Sequence, residues 1–134
     1  MKRYAPYQLG LFIAAALFCH GRLSAADHIV LVGGNNNAFS PPDTQVMVGD
    51  SVTFTNAGGE HNVASMTGAA FAFRCAEDCA ANSGVSNASW SSTITIPPEA
   101  AHQTVGFYCE RHGFSMSGTL TTTNPVALQS YEID

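Results

Sequence analysis

The stretch FYCERHGFSMSGTL, residues 107–120, decides both the fold and the chemistry of this chain. Within eight residues it places a thiol, an imidazole and a thioether, on Cys109, His112 and Met116. A second imidazole, that of His61, lies far upstream. Apolar and other residues alternate up to Cys109, which is the pattern of a half-buried β-strand. The stretch therefore predicts a strand that carries one potential metal ligand into a loop that carries two more.

These four side chains favour copper over other metals. Soft sulfur with imidazole suits copper in both oxidation states, and two His, one Cys and a weak axial Met are the ligands of a blue-copper site. Zinc also accepts Cys and His, but a thioether is a poor ligand for it. A buried structural thiol is the other alternative for Cys109. We expect one copper ion bound by His61, Cys109, His112 and Met116.

The first 26 residues have the features of a secretory signal peptide. Basic residues 2–3 precede the apolar run 9–18, and the small residues 24–26 offer a cleavage site. The apolar run is too short for a membrane span, which needs roughly 20 residues, although an uncleaved anchor is the alternative. We expect a signal peptide at 1–26 and one domain at 27–134, in the periplasm or secreted.

Removal of the leader makes the chain strongly acidic. Only Arg74 and Arg111 of the five basic residues lie after residue 26, whereas all ten acidic residues do, so the formal net charge changes from −5 to −8. An acidic chain is a poor ligand for nucleic acid or an anionic membrane surface. Basic protein partners suit it better.

Three cysteines remain in the predicted mature chain, and an odd number in an exported protein needs a reason. A metal thiolate at Cys109 leaves Cys75 and Cys79 to form a disulfide in an oxidising compartment. We expect this bridge to shape a surface loop, because so small a ring restricts little of the unfolded chain.

Strand patterns separated by turn residues dominate the mature chain. They lie at residues 29–32, 44–48, 51–55, 93–96, 105–109 and 119–123. The continuous apolar run 29–32 predicts a strand buried on both faces, and residues 69–81 allow one or two helical turns near the paired cysteines. Many short strands with turns between them predict an all-β Greek-key sandwich or barrel.

Residues 107–120 are similar to the C-terminal copper loop of the plastocyanin/azurin (cupredoxin) family. Three upstream motifs resemble the N-terminal half of that family in order and spacing. They are Phe39-Ser40-Pro41, Val46-x-Val48-Gly49-Asp50-x-Val52-x-Phe54 and His61-Asn62-Val63. The resemblance covers roughly residues 28–123 and implies a cupredoxin fold. It also implies equatorial ligands at His61, Cys109 and His112, with Met116 as the axial ligand.

The chain departs from plant plastocyanins at three places. The loop has one residue fewer between His112 and Met116. Glu110 stands where plant-type proteins carry a residue with a hydroxyl group. In those proteins the hydroxyl residue pairs with the residue that follows the first histidine ligand, which is Asn62 in this chain. The segment with Cys75 and Cys79 is an insert. The surface around that insert therefore cannot be inferred from the plant proteins.

The resemblance and the ligand set predict a monomeric blue copper protein that shuttles one electron between redox proteins, such as a basic c-type cytochrome. An enzyme is not expected, because one domain has no room for a further copper centre. A single cysteine in the loop excludes a binuclear site. A copper-delivery protein of the envelope is the alternative, although the sequence has no tract rich in Met or His. Tyr108 is either a packing aromatic or part of an electron path.

Overall fold

The computed structural model describes residues 24–123. Residues 1–23 of the predicted leader and the segment 124–134 lie outside these residues. No helix in the described part of the chain is long and apolar enough to cross a membrane.

Nine strands make up the described part of the chain. They are β1 (Asp27–Val32), β2 (Phe39–Ser40), β3 (Asp43–Val46), β4 (Ser51–Asn56), β5 (Val63–Ser65), β6 (Arg74–Cys75), β7 (Ser91–Thr95), β8 (Thr104–Cys109) and β9 (Gly113–Thr122). One sheet has the order β2-β1-β4-β7 and the other β3-β9-β8-β5-β6. The pairs β1–β4 and β3–β9 are parallel and the remaining pairs antiparallel. The predicted all-β sandwich is confirmed.

Alternation along the strands places the core between the two sheets. In β4, Val52 and Phe54 are buried while the residues on either side of each are partly exposed, and β8 repeats the alternation up to Cys109. The ring of Phe107 lies at the centre of the core, with its centroid 4.8 Å from that of Phe39 and 5.5 Å from that of Phe54. Cys109 follows on the same face of β8, so the packing of Phe107 fixes the end of the strand that carries the thiol.

The prediction that β1 is buried on both faces was wrong. Val30 and Val32 are fully buried, whereas Ile29 is 64% and Leu31 45% exposed. These two side chains lie on the outer face of the sheet, which none of the described elements covers. A continuous apolar run shows that a strand has one face suited to the core, but it does not show that a second layer covers the other face.

The helical turns predicted at residues 69–81 are absent. In the described chain the one helical turn is a 3-10 turn at Pro98–Ala100, while the segment 69–81 holds bends and strand β6. Cys75 pairs with Val63 at the edge of the sheet and is fully buried. Burying this residue against the sandwich requires an extended backbone, and that tertiary demand outweighs the local preference for a helical turn.

Candidate metal centre

The predicted ligands come from two segments that meet at one pole of the sandwich. Cys109 is the last residue of β8, His112 lies in the turn that follows, and Met116 lies in β9. His61 comes from the loop after β4, which belongs to the other sheet. Two backbone hydrogen bonds with Ser86, both of 3.0 Å, hold the His61 main chain in place.

Three of the four predicted side chains present donor atoms to one point. The Sγ of Cys109 lies 3.7 Å from Nδ1 of His61 and 3.6 Å from Nδ1 of His112. The donor atoms of these three residues all lie within 4.8 Å of one another. The two imidazoles thus turn the same ring nitrogen towards the sulfur, and their ring centroids are 4.9 Å apart.

Three of the four predicted ligand side chains are shielded from solvent. His61 and Cys109 are fully buried and Met116 is 1% exposed, whereas His112 is only partly buried. Met116 belongs to the same buried cluster as Cys109. The half-exposed imidazole of His112 is therefore the predicted ligand that lies nearest to solvent.

The donor set fits copper. Cys109 is a buried free thiol, and thiolate with imidazole and a thioether close by is a soft set of the kind that copper prefers. Burial lowers the pKa of His61, and the charge of His112 lowers it further, against the opposing effects of the Gly58 carbonyl and Glu60. A neutral imidazole keeps a lone pair free for a metal ion.

Asn62 ties the two ligand-bearing segments together. Its side chain is fully buried, its Oδ1 accepts a 2.8 Å hydrogen bond from the backbone N–H of Glu110, and its Nδ2 donates to the Glu110 carboxylate. Asn62 and Glu110 each adjoin a predicted ligand. The connection between the two loops is therefore kept although a carboxylate replaces the hydroxyl of the plant-type proteins. One of its two hydrogen bonds comes from the backbone N–H of residue 110, which every residue type except proline provides.

Arg74 completes this tie from strand β6. Its Nε donates a 2.8 Å hydrogen bond to the same oxygen of Glu110 that Asn62 contacts. Burial acts to raise the pKa of Glu110, but the hydrogen bonds from Arg74 and Asn62 and the charge of Arg74 outweigh it and lower the pKa. This ion pair could not be predicted from the sequence pattern, because the two residues are 36 positions apart.

The predicted disulfide is present between Cys75 and Cys79, whose Cα atoms are 4.1 Å apart. Cys75 is fully buried and belongs to the hydrophobic core, whereas Cys79 is exposed. The bridge therefore joins a surface loop to the edge strand that also supplies Arg74.

The rim of the pole carries an aromatic pair, of which Phe114 is the exposed member. Phe114 is 68% exposed, and its ring lies 4.9 Å from that of the half-buried Tyr108. Ser115 donates a 2.7 Å hydrogen bond to the carbonyl oxygen of His112 and so stabilises the intervening turn. Of the two roles left open for Tyr108, this contact supports packing.

The comparisons with known proteins agree with this geometry. Residues 26–123 match the family of copper binding proteins described as plastocyanin/azurin. A chloroplastic plastocyanin from Hordeum vulgare is 33% identical over 118 residues, which cover 81% of this chain and 69% of that protein. The chain belongs to the plastocyanin/azurin family of copper-binding proteins, and its cofactor is copper.

Solved structures show the same fold at lower identity. A reduced amicyanin variant superposes with a TM-score of 0.56 at 20% identity, covering 76% of this chain and 87% of that one. A purple cupredoxin from Nitrosopumilus maritimus gives 0.54 at 20% identity, covering 72% of this chain and all of that one. The expected cupredoxin fold is thereby confirmed.

Proposed function

We propose that this chain is a single-domain blue copper protein that carries one electron between redox partners and has no substrate of its own. His61, Cys109 and His112 would be the equatorial ligands of one copper ion, with Met116 as the axial ligand. The observation that carries the proposal is the convergence of one sulfur and two imidazole nitrogens within 4.8 Å, with the buried Met116 in the same core cluster as Cys109. Copper supplies one-electron exchange between Cu(II) and Cu(I) when it is bound.

The residues of the chain prepare this site in distinct ways. The strand end at Cys109 and the backbone bonds of His61 fix two donors before any metal arrives, and Asn62 holds their loops at a constant separation. A rigid set of donors lowers the reorganisation needed when the charge at the site changes by one. The half-exposed imidazole of His112 gives the shortest path between the site and the solvent at the pole.

Burial of the site favours a carrier over the alternative, a copper-delivery protein. A delivery protein must release its metal to a partner, which requires accessible ligands that can exchange. Here two of the donor-bearing side chains are fully buried and a third is 1% exposed. A site of this kind suits an ion that stays in place through many electron transfers.

Export is part of the same proposal. The predicted leader and the disulfide between Cys75 and Cys79 both support a periplasmic or secreted location, since such bridges persist in oxidising compartments. We further propose that the protein acts as a monomer, and that its redox partners are basic proteins, because the mature chain carries a formal net charge of −8.

The spectra of the copper-loaded protein test the proposed function. Addition of Cu(II) to the purified mature protein should give an intense visible band from a short bond between copper and the Cys109 thiolate. The EPR spectrum should be that of a single type 1 copper. A colourless protein that binds copper through nitrogen and oxygen alone would refute the assignment.

Met116 should set the reduction potential. A weak thioether does little to stabilise Cu(II), whereas the amide oxygen of glutamine is a harder donor that stabilises it more. Met116→Gln should therefore retain copper and lower the potential, measured by voltammetry. Met66→Gln is the matched control, because Met66 is a half-buried methionine that lies against Gly106. An equal potential in the two variants would assign the axial position to another group.

Electron transfer to a basic cytochrome should slow as salt rises. The acidic residues next to the ligands are paired, since Glu60 lies 3.8 Å from Arg111 and Glu110 lies 2.8 Å from Arg74. The steering field therefore comes from the remaining acidic groups, Glu77 and Asp78 of the disulfide loop among them. Such a field raises association rates at low salt and is screened once the Debye length is about 10 Å, near 0.1 M salt. A rate that is flat or rises with ionic strength would exclude this steering.

At high salt the apolar rim should control the rate instead. Phe114→Asp places a charge in the aromatic pair beside His112 and should slow the transfer even where steering is screened. Ile29→Asp is the matched control, because Ile29 is exposed to a similar extent, 64% against 68%, but lies on β1 in the other sheet. Equal rates in the two variants would remove Phe114 from the docking surface.

A further inference from the structure

The ring of His61 lies against two glycines that come from different parts of the chain. Gly33 follows strand β1, and Gly59 lies two residues before His61 in the loop after β4. A Cβ atom on Gly33 would lie 2.2 Å from Nε2 of His61 and 2.3 Å from its Cδ2. A Cβ atom on Gly59 would lie 2.5 Å from the same Nε2, and the three atoms nearest to it all belong to this ring.

The imidazole is enclosed by other side chains of the site on the edge opposite the two glycines. Real Cβ atoms essentially never approach another heavy atom closer than 3.0 Å, so either the ring or the backbone that carries the new Cβ atom would have to shift. The opposite edge of the ring faces Sγ of Cys109 at 3.7 Å, the ring of His112 lies 4.9 Å away, and the side chain is fully buried. Protein interiors are close-packed, so the displacement of one buried group is transmitted to its neighbours. A side chain at either glycine that displaced the ring would therefore push Nδ1 out of its position beside the sulfur.

We propose that Gly33 and Gly59 are positioning residues for the His61 imidazole, and that the slot between their Cα atoms fixes where Nδ1 lies in the copper site. The proposal rests on the proposed function, because it takes His61 as a ligand. It adds a role for the loop after β1, which brings no ligand to the site. That loop is held in register by a 2.9 Å hydrogen bond from Gly33 N–H to the Ala38 carbonyl and a 3.0 Å bond from Gly34 N–H to the Gly58 carbonyl.

Both glycines also have positive φ, which by itself disfavours a side chain. The chain offers matched controls for this effect. Gly34 has φ +83° against +78° at Gly33, but a Cβ atom there would meet only Ala57 at an ordinary 3.7 Å. Gly49 has φ +93° against +94° at Gly59, and a Cβ atom there would have nothing within 4 Å. Each pair shares the backbone strain and differs in the contact with His61.

The experiment compares the four single alanine variants at these positions. Three quantities are measured for each: the melting temperature of the copper-free protein, the affinity for Cu(II), and the visible and EPR spectra of the loaded protein. Gly34→Ala and Gly49→Ala should lower the melting temperature and keep the wild-type spectra and affinity. Gly33→Ala and Gly59→Ala should change the spectra and weaken copper binding about tenfold or more, the scale typical of losing a group that orients a metal ligand.

Gly59→Ala carries the test if Gly33→Ala fails to fold. A Cβ atom on Gly33 would also approach the Gly58 carbonyl oxygen to 2.5 Å, whereas the nearest contacts of one on Gly59 are confined to the ring. Wild-type spectra and affinity in Gly59→Ala would overturn the proposal, as would equal spectral changes in Gly59→Ala and Gly49→Ala. These outcomes differ from a failure of the proposed function, in which the wild-type protein itself would lack the thiolate band.

Discussion

Replacing Cys109 with serine should abolish the intense visible band of the Cu(II)-loaded protein completely. The band requires a short, covalent bond between copper and a thiolate, and Cys109 is the free cysteine within the described residues. A serine hydroxyl is a hard, weakly acidic donor that cannot replace the charge transfer from sulfur. The fold should survive, because the two side chains are nearly equal in size and the core around Phe107 is untouched. Absorption and EPR spectra measure the loss, and circular dichroism verifies the fold.

The double variant Cys75→Ser/Cys79→Ser is the control for general effects of removing sulfur. It deletes the disulfide at strand β6 and leaves the donors at the pole in place. We expect its copper spectrum to match that of the wild type. A Cys109→Ser protein that stays coloured would contradict the ligand assignment, and a colourless double variant would show that the disulfide helps to form the site.

The chemistry of the site could be predicted because three of the four predicted ligands are close together in the sequence. Cys109, His112 and Met116 lie within one eight-residue stretch, so strand alternation and a single turn suffice to bring their side chains to one pole. His61 is 48 residues away from Cys109, and it was assigned to the site from its residue type and from the resemblance to a known family. The structure places its Nδ1 at 3.7 Å from the sulfur. Residue type and order were enough to identify candidate ligands, although not their distances.

Features that depend on tertiary contacts could not be read in this way. The helical turns expected at 69–81 gave way to strand β6, because Cys75 is buried at the edge of the five-stranded sheet. The exposed face of β1 follows from the absence of a covering layer among the described elements, which a single strand's sequence cannot reveal. The sequence pattern identified Gly33 only as a turn residue. Its proximity to the His61 ring could not be predicted, because the two residues are 28 positions apart.

The Asn62 side chain should contribute more to stability than its size suggests. Asn62→Ala removes both halves of the loop tie at once: the 2.8 Å hydrogen bond from the Glu110 N–H and the bond to the Glu110 carboxylate. The N–H then loses its acceptor at a partly buried contact, and leaving a buried donor unsatisfied costs about 1–3 kcal/mol. We expect a total loss of about 2–4 kcal/mol in the free energy of unfolding of the copper-free protein. Chemical denaturation with a fluorescence or circular-dichroism probe measures it.

Glu110→Ala separates the two halves of the tie. It removes the carboxylate, including its ion pair with Arg74, but leaves the backbone N–H of residue 110 to donate to Asn62. That ion pair is about one-third exposed on both sides, at 35% and 31%, so its contribution is at most about 1 kcal/mol. Glu110→Ala should therefore destabilise the protein clearly less than Asn62→Ala, and the double variant should cost little more than Asn62→Ala alone. If Glu110→Ala were as costly as Asn62→Ala, the carboxylate and Arg74 would hold the ligand loops together. If the backbone bond dominates as we expect, residue 110 can be any residue except proline while the distance between the His61 and Cys109 segments stays fixed.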